Sequence, residues 1–350
     1  MSRHRSSRPP SPATAVDLGT TVGSVVLPNP VMTAAGTAGH GAELGAYFEL
    51  SELGAVVVKS LAPFSWGGNP APRLCPVPGG MLNAVGLQGP GLEAWIAHDL
   101  PPLLDAGARV VASIWGRTVD DFAAAGECLG RLRSEAAAPQ GPGIVAVEVN
   151  VSCPNLEDRS RMFAHSPAAT AAAVAAARRS GYPLWAKLSP NTSELVEVAG
   201  AALEEGAEAL TLVNTLLGLE IDTAARRPVL AVGGGGLSGS ALHPVALRAV
   251  FDCRTAYPHA GIVGVGGVSD GEGALRLLLA GADAVQVGTA TLADPRAPVR
   301  VLRELKVSLE RGHFGSVGEA RSAAHPRDGA PTETGMATTR RRGHDGHGHD

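Results

Sequence analysis

The chain has 350 residues, 45% of them hydrophobic, and a formal net charge of -4. That length holds one α/β barrel of about 250 residues with tails on either side, and the apolar content suffices for a sizeable core. Without a basic excess nothing draws the chain to nucleic acid, which leaves small molecules or proteins as partners.

Residues 1–14 are poor in large apolar side chains and rich in Arg, Ser and Pro, a composition that cannot offset its ordering entropy and reads as a disordered tail. No apolar stretch follows it, and no later run approaches the roughly 18 residues of a membrane span, so secretion and membrane insertion are not expected. VDLGTTVGSVVLPNP reads as two short strands around Gly23, a hairpin closing the bottom of the domain.

Eight apolar runs then alternate with Ala/Leu-rich segments: residues 31–35, 55–60, 108–115, 144–152, 182–189, 209–215, 261–267 and 284–289. Continuous apolar strands of this kind are buried on both faces, as in parallel sheets. Intervening stretches such as SPAATAAAVAAARRSG and SELVEVAGAALEEGA have helical periodicity and end near glycine. Eight β/α repeats predict a closed TIM (β/α)8 barrel over residues 15–315. The runner-up, an open doubly wound sheet, lacks a GxGxxG fingerprint after its first strand.

Residues 316–350 read as a second disordered tail, ending GHDGHGHD. His344, His347 and His349 are divalent-metal ligand types, but short tracts of this composition are ordinarily solvated, and no metal is expected. Cys75, Cys128, Cys153 and Cys253 form no CxxC or Cys/His spacing, so a reducing cytoplasm without disulfides or zinc is the simplest setting.

In such barrels chemistry collects where strands end. Those ends carry Lys59 and Ser60 (second strand), Asn150, Ser152, Cys153 and Asn155 (fourth), Lys187 (fifth), and Asn214 and Thr215 (sixth). GVGGV (264–268) and VGTA (287–290) at the seventh and eighth are glycine turns suited to a phosphate. Lys187 lies in an apolar context and needs an anionic partner, either a flavin's pyrimidine edge or a carboxylate such as Glu148. A lone Cys153 would ordinarily be a small buried residue; its surroundings, NVSCPN, reverse that reading.

Taken together, KSLAPFSWGGNPAPRL, GGMLNAVGLQGPG, VEVNVSCPN, WAKLSPN, VNTLLGLEID, GGLSG, GVGGV and VQVGT resemble the dihydroorotate dehydrogenase family, class I, over roughly residues 16–310. GNPAPR followed by GMLNAVGLQGPG looks most like its NAD-linked barrel subunit. The resemblance implies FMN, one per chain, and oxidation of (S)-dihydroorotate to orotate in de novo pyrimidine biosynthesis. It also implies a homodimer and a separate subunit carrying FAD and [2Fe-2S].

By the same resemblance Cys153 is the catalytic base. The substrate would be held by Lys59, Asn83, Asn150, Asn155, Asn214 and Thr215 and by the backbone of Ala84, Val85, Gly86 and Leu87. FMN would be held by Ala35, Gly36, Lys59, Ser60, Ser113, Asn150, Lys187, Val213, Gly239, Gly266, Gly267, Gly288 and Thr289. Amide side chains suit a ring with carbonyls and N–H groups, since they donate and accept at once.

Three positions depart from the family pattern: Ala35 in place of Ser, Ser113 in place of Asn, and LEDRSRM where a glycine-containing lid is usual. The competing readings are a dihydropyrimidine-type dehydrogenase and a non-catalytic flavin-binding barrel. Among electron acceptors, quinone fits least, for want of an apolar N-terminal segment.

Overall fold

The computed structural model describes residues 15–133, 141–152, 154–155 and 161–326. The segments 1–14 and 327–350, with His344, His347 and His349, lie outside the described residues, as do Cys153 and residues 156–160 of the charged loop.

The eight apolar runs form β1 (Val31–Thr33), β2 (Val56–Val57), β3 (Arg109–Ile114), β4 (Gly143–Asn150), β5 (Leu184–Lys187), β6 (Ala207–Leu212), β7 (Gly261–Val265) and β8 (Ala284–Val287). They lie in one sheet in the order β1-β8-β7-β6-β5-β4-β3-β2. The sheet closes between its end strands. Gly54 N–H donates to the Val31 carbonyl (2.9 Å), and the Thr33 hydroxyl accepts from Val57 N–H (2.8 Å). A Cβ on Gly54 would sit 2.3 Å from the Asn29 carbonyl oxygen, so glycine is what lets the chain come this close at the seam. The result is the predicted TIM barrel.

Helices Val119–Gly130, Pro167–Ala177, Leu195–Glu204, His243–Ala256, Gly271–Leu279 and Ala297–Arg311 surround it. Val119–Gly130 begins at a capping box, Thr118 with Asp121, and Asp270 caps Gly271–Leu279. The first repeat departs from the regular pattern. Between β1 and β2 two 3-10 turns, Glu43–Ala46 and Leu50–Glu52, stand where an α-helix was expected. Gly36, Gly39, Gly41 and Gly45 make a helix there unfavourable, and Ala297–Arg311 packs against β1 instead.

Strands Thr20–Val22 and Val25–Leu27 form the predicted hairpin around Gly23. Its Thr20 hydroxyl bonds the Asp283 carbonyl and its Ser24 N–H the Glu208 carboxylate, which seats it at the barrel floor. Val22, Val25 and Leu27 pack with the inward-facing Met32, Val57, Val111, Trp185, Ala209, Val263 and Ala284. Neighbours one position off, such as Val110, Leu210 and Ile262, join the core shared with the helices. Because strand side chains alternate with period two, the next inward positions up the strands are Ser113, Glu148, Lys187, Thr211 and Gln286, all buried. The barrel interior is apolar below and polar above.

A four-stranded antiparallel sheet not foreseen from the sequence covers part of the mouth. It consists of Leu74–Val77, Gly80–Asn83, Gly235–Ser238 and Leu216–Gly218. The C-terminal boundary is also corrected. Folded structure continues beyond 315 to Pro326, through a short helix, Val317–Ala320, whose end residues are buried. The Ser322 and Ala324 N–H groups bond Leu278 and Leu279, and His325 stacks on Phe251 at 4.0 Å between centroids.

Candidate active site

Above the polar layer lies a cavity of about 330 Å³, bounded by the C-terminal ends of the strands and by the cap sheet. Ala35, Gly36, Lys59, Ser60, Asn83, Val85, Gly86, Leu87, Asn150, Lys187, Val213, Asn214, Thr215, Gly239, Gly266, Gly267, Gly288 and Thr289 all line it. Residues scattered over more than 250 positions thus meet in one space because each ends a barrel strand or a loop leaving it.

One side of the cavity is a directed hydrogen-bond chain. Asn214 Nδ2 donates to Asn150 Oδ1 (3.1 Å), and Asn150 Nδ2 donates to Ser60 Oγ (3.3 Å). Ser60 and Ser113 are 2.9 Å apart, and Ser113 donates to Glu148 Oε1 (3.3 Å). Since the only Ser113 proton goes to the carboxylate, the proton between the two hydroxyls belongs to Ser60. Glu148 also accepts from Gln286 Nε2 (2.8 Å) and lies 3.4 Å from Lys187 Nζ. Lys187 therefore has the carboxylate partner that its apolar setting demands, while its side chain still lines the cavity.

Lys59 has no carboxylate within ion-pair distance among the described residues. Burial, and then the neighbouring Lys187 ammonium, hold its pKa down to about 8. Two lysines against one carboxylate, Glu148, which among the described residues pairs with Lys187 alone, leave this part of the cavity suited to an anion.

Another part of the lining is bare backbone. Gly239, Gly266 and Gly267 have φ of +105°, +140° and +70°. A Cβ on Gly267 would lie 2.7 Å from His243 Cβ. Beside them the Thr289 hydroxyl donates to Ser238 Oγ (2.7 Å). Glycine turns and hydroxyls of this kind fit the phosphate of a flavin mononucleotide.

Two expected site residues do not reach the cavity. Ser113 is buried beneath it and bonded to Ser60, which lines it. Ala84 packs with the small cluster of Cys75, Leu82 and Leu230. Cys153 lies outside the described residues; it follows Ser152, which lines the cavity. Asn155 is in a two-residue strand, Pro154–Asn155, paired with Arg161–Met162. Leu74, Met81 and Leu292 line the cavity without having been anticipated, since nothing local distinguishes them from surface apolar residues. Ser238 was within reach of sequence reasoning, through the GGLSG motif.

Fold and cavity together define a TIM-barrel enzyme. A sequence profile of the dihydroorotate dehydrogenase family matches residues 17–309. The catalytic subunit of dihydroorotate dehydrogenase B (NAD(+)) from Geobacter sp. (strain M21) is 42% identical over 302 residues, covering 86% of this chain and 96% of that protein. The proteins of the same name from Alkaliphilus oremlandii and Pelobacter propionicus are 41% and 42% identical over 304 residues, covering 87% of this chain and 97% of each. The chain belongs to the dihydroorotate dehydrogenase family, and it is an oxidoreductase.

Proposed function

We propose that this chain is the FMN-bearing catalytic subunit of an NAD-linked dihydroorotate dehydrogenase, oxidising (S)-dihydroorotate to orotate in de novo pyrimidine synthesis. The observation that carries the reading is a single cavity lined both by glycines with the Thr289 hydroxyl and by amides with two lysines. The first suits a flavin phosphate, with Gly239, Gly266, Gly267, Gly288 and Thr289 around it, and the second suits a planar ring acid.

The oxidation removes a proton from C5 and a hydride from C6. FMN, when bound, supplies at N5 the acceptor for that hydride. Asn83, Asn150 and Asn214 orient the ring, Lys59 attracts its carboxylate, and the Cys153 thiolate takes the C5 proton onto Sγ. Lys187, held by Glu148, would hold the pyrimidine edge of the flavin. The reading includes a separate subunit that would carry FAD and [2Fe-2S] as the electron acceptor, and a homodimer of the barrel. The proposed setting is the cytoplasm; among the described residues no helix is long and apolar enough to cross a membrane.

The test is to mix the purified yellow protein anaerobically with dihydroorotate and follow flavin absorbance, beside Cys153→Ala. Rapid bleaching that the variant loses is expected. Bleaching by dihydrouracil alone would assign a dihydropyrimidine substrate, and bleaching by neither would leave a non-catalytic barrel.

A further inference from the structure

We infer that Arg117 and Trp66 are positioning residues for the substrate side of the cavity, an inference resting on the assignment of that side to the ring acid. Val85, Gly86 and Leu87 line the cavity, and the backbone there is strained. It is left-handed at Gly86 and at Leu87, with φ of +75° and +60°. A leucine adopts that conformation only where its surroundings impose it.

The imposing element is the preceding loop. Trp66 Nε1 donates to the Gly86 carbonyl (3.0 Å), and the backbones of Trp66 and Gly89 exchange hydrogen bonds at 2.9 and 3.0 Å. Asn69 donates from Nδ2 to the Ala84 carbonyl (3.0 Å) and from its N–H to the Val85 carbonyl (3.1 Å). The two backbones are so close that a Cβ on Gly68 would lie 2.4 Å from the Val85 oxygen.

The loop is braced in turn by Arg117. Its guanidinium carbon lies 4.6 Å from the centroid of Phe64 and 4.8 Å from that of Trp66. Among the described residues it has no ion pair, and its buried Nε has no hydrogen-bond partner, so the rings are what it engages. Asp121 fixes its backbone, accepting from Arg117 N–H at 2.8 Å. The stack thus ties the loop after β3 to the excursion after β2. It fixes the indole whose N–H holds Gly86.

The experiment compares holoenzymes of wild type, Arg117→Ala, Arg117→Lys and Trp66→Phe. Orotate affinity is read from the flavin spectrum, with steady-state kinetics, FMN retention and melting temperature alongside. Arg117→Ala is expected to weaken orotate binding and raise KM by about tenfold, with kcat changed by less than about twofold and FMN retained. Arg117→Lys restores most of the affinity, since an ammonium still stacks. Trp66→Phe keeps the ring, loses the bond to Gly86 and weakens orotate by about threefold to tenfold. Wild-type affinity in Arg117→Ala, or parallel loss of orotate, FMN and melting temperature, overturns the inference. A wild-type enzyme that does not respond to orotate overturns instead the substrate reading beneath it.

Discussion

Lys187 Nζ lies 3.4 Å from Glu148 Oε1, with side chains 6% and 0% exposed. The pair sits where the barrel interior changes from apolar to polar, and Ser113 and Gln286 both donate to the same carboxylate. Removing the carboxylate strands a buried ammonium and two donors. Glu148→Ala is expected to lower stability by about 3–5 kcal/mol, read from urea unfolding of the apoprotein. Replacing both partners, as Glu148→Leu with Lys187→Met, should recover much of that loss, which a double-mutant cycle would measure.

Ser113 joins Ser60 to Glu148. Ser113→Ala should cost about 1–2 kcal/mol of stability. It should also weaken orotate, because Asn150 loses the hydroxyl chain that orients its amide. An unchanged orotate titration in that variant would show that Asn150 is fixed by its other contacts alone.

The pH dependence follows from two groups of opposite effect. Lys59, with a pKa held at about 8 rather than 10.5, is an ammonium below that value and an amine above it. Affinity for orotate should therefore fall as pH rises through 8, and Lys59→Met should flatten the curve. With Cys153 as the base, the thiolate fraction grows with pH, and kcat should rise with it. The product of the two trends is a kcat/KM profile with a maximum in the weakly alkaline range, obtained from steady-state rates at a series of pH values.

Gly267 combines φ of +70° with a Cβ position 2.7 Å from His243 Cβ. Gly267→Ala should distort the phosphate turn and weaken FMN by about tenfold or more, with little effect on secondary structure by circular dichroism. Retention of FMN through gel filtration at wild-type levels would remove this turn from the cofactor site.

Asp283 is buried at the barrel floor and accepts from Arg254 (2.8 Å), Arg321 (2.7 Å) and the Ile262 N–H (2.7 Å). Deleting residues after 315 removes Arg321 and the His325 stack on Phe251. The truncated protein should melt several degrees lower while keeping its FMN spectrum, as expected of a brace remote from the cavity.

The barrel was legible because each strand is a buried apolar run, and burial on both faces leaves a composition that survives without context. The cap sheet was not. Leu74–Val77 and Gly80–Asn83 are half-exposed, and Gly80–Asn83 pairs with Gly235–Ser238, far away in the chain. Residues 316–326 escaped for a different reason. Val317 and Ala320 are small apolar anchors in a polar stretch, too few to shift its average. In the candidate site, strand-end residues such as Lys59, Asn150 and Asn214 could be placed from the repeat alone. Trp66 and Arg117 could not, since only the packing of two loops brings a guanidinium between Phe64 and Trp66.

The cap sheet is sewn from segments that leave the barrel after β2 and after β6. Its two local pairings, Leu74–Val77 with Gly80–Asn83 and Leu216–Gly218 with Gly235–Ser238, are joined to each other only across β3 to β6, so the seam between them is a long-range contact that carries a loop-closure cost. On the proposed placement of FMN in this cavity, a chain that retains flavin has brought both halves of that seam together.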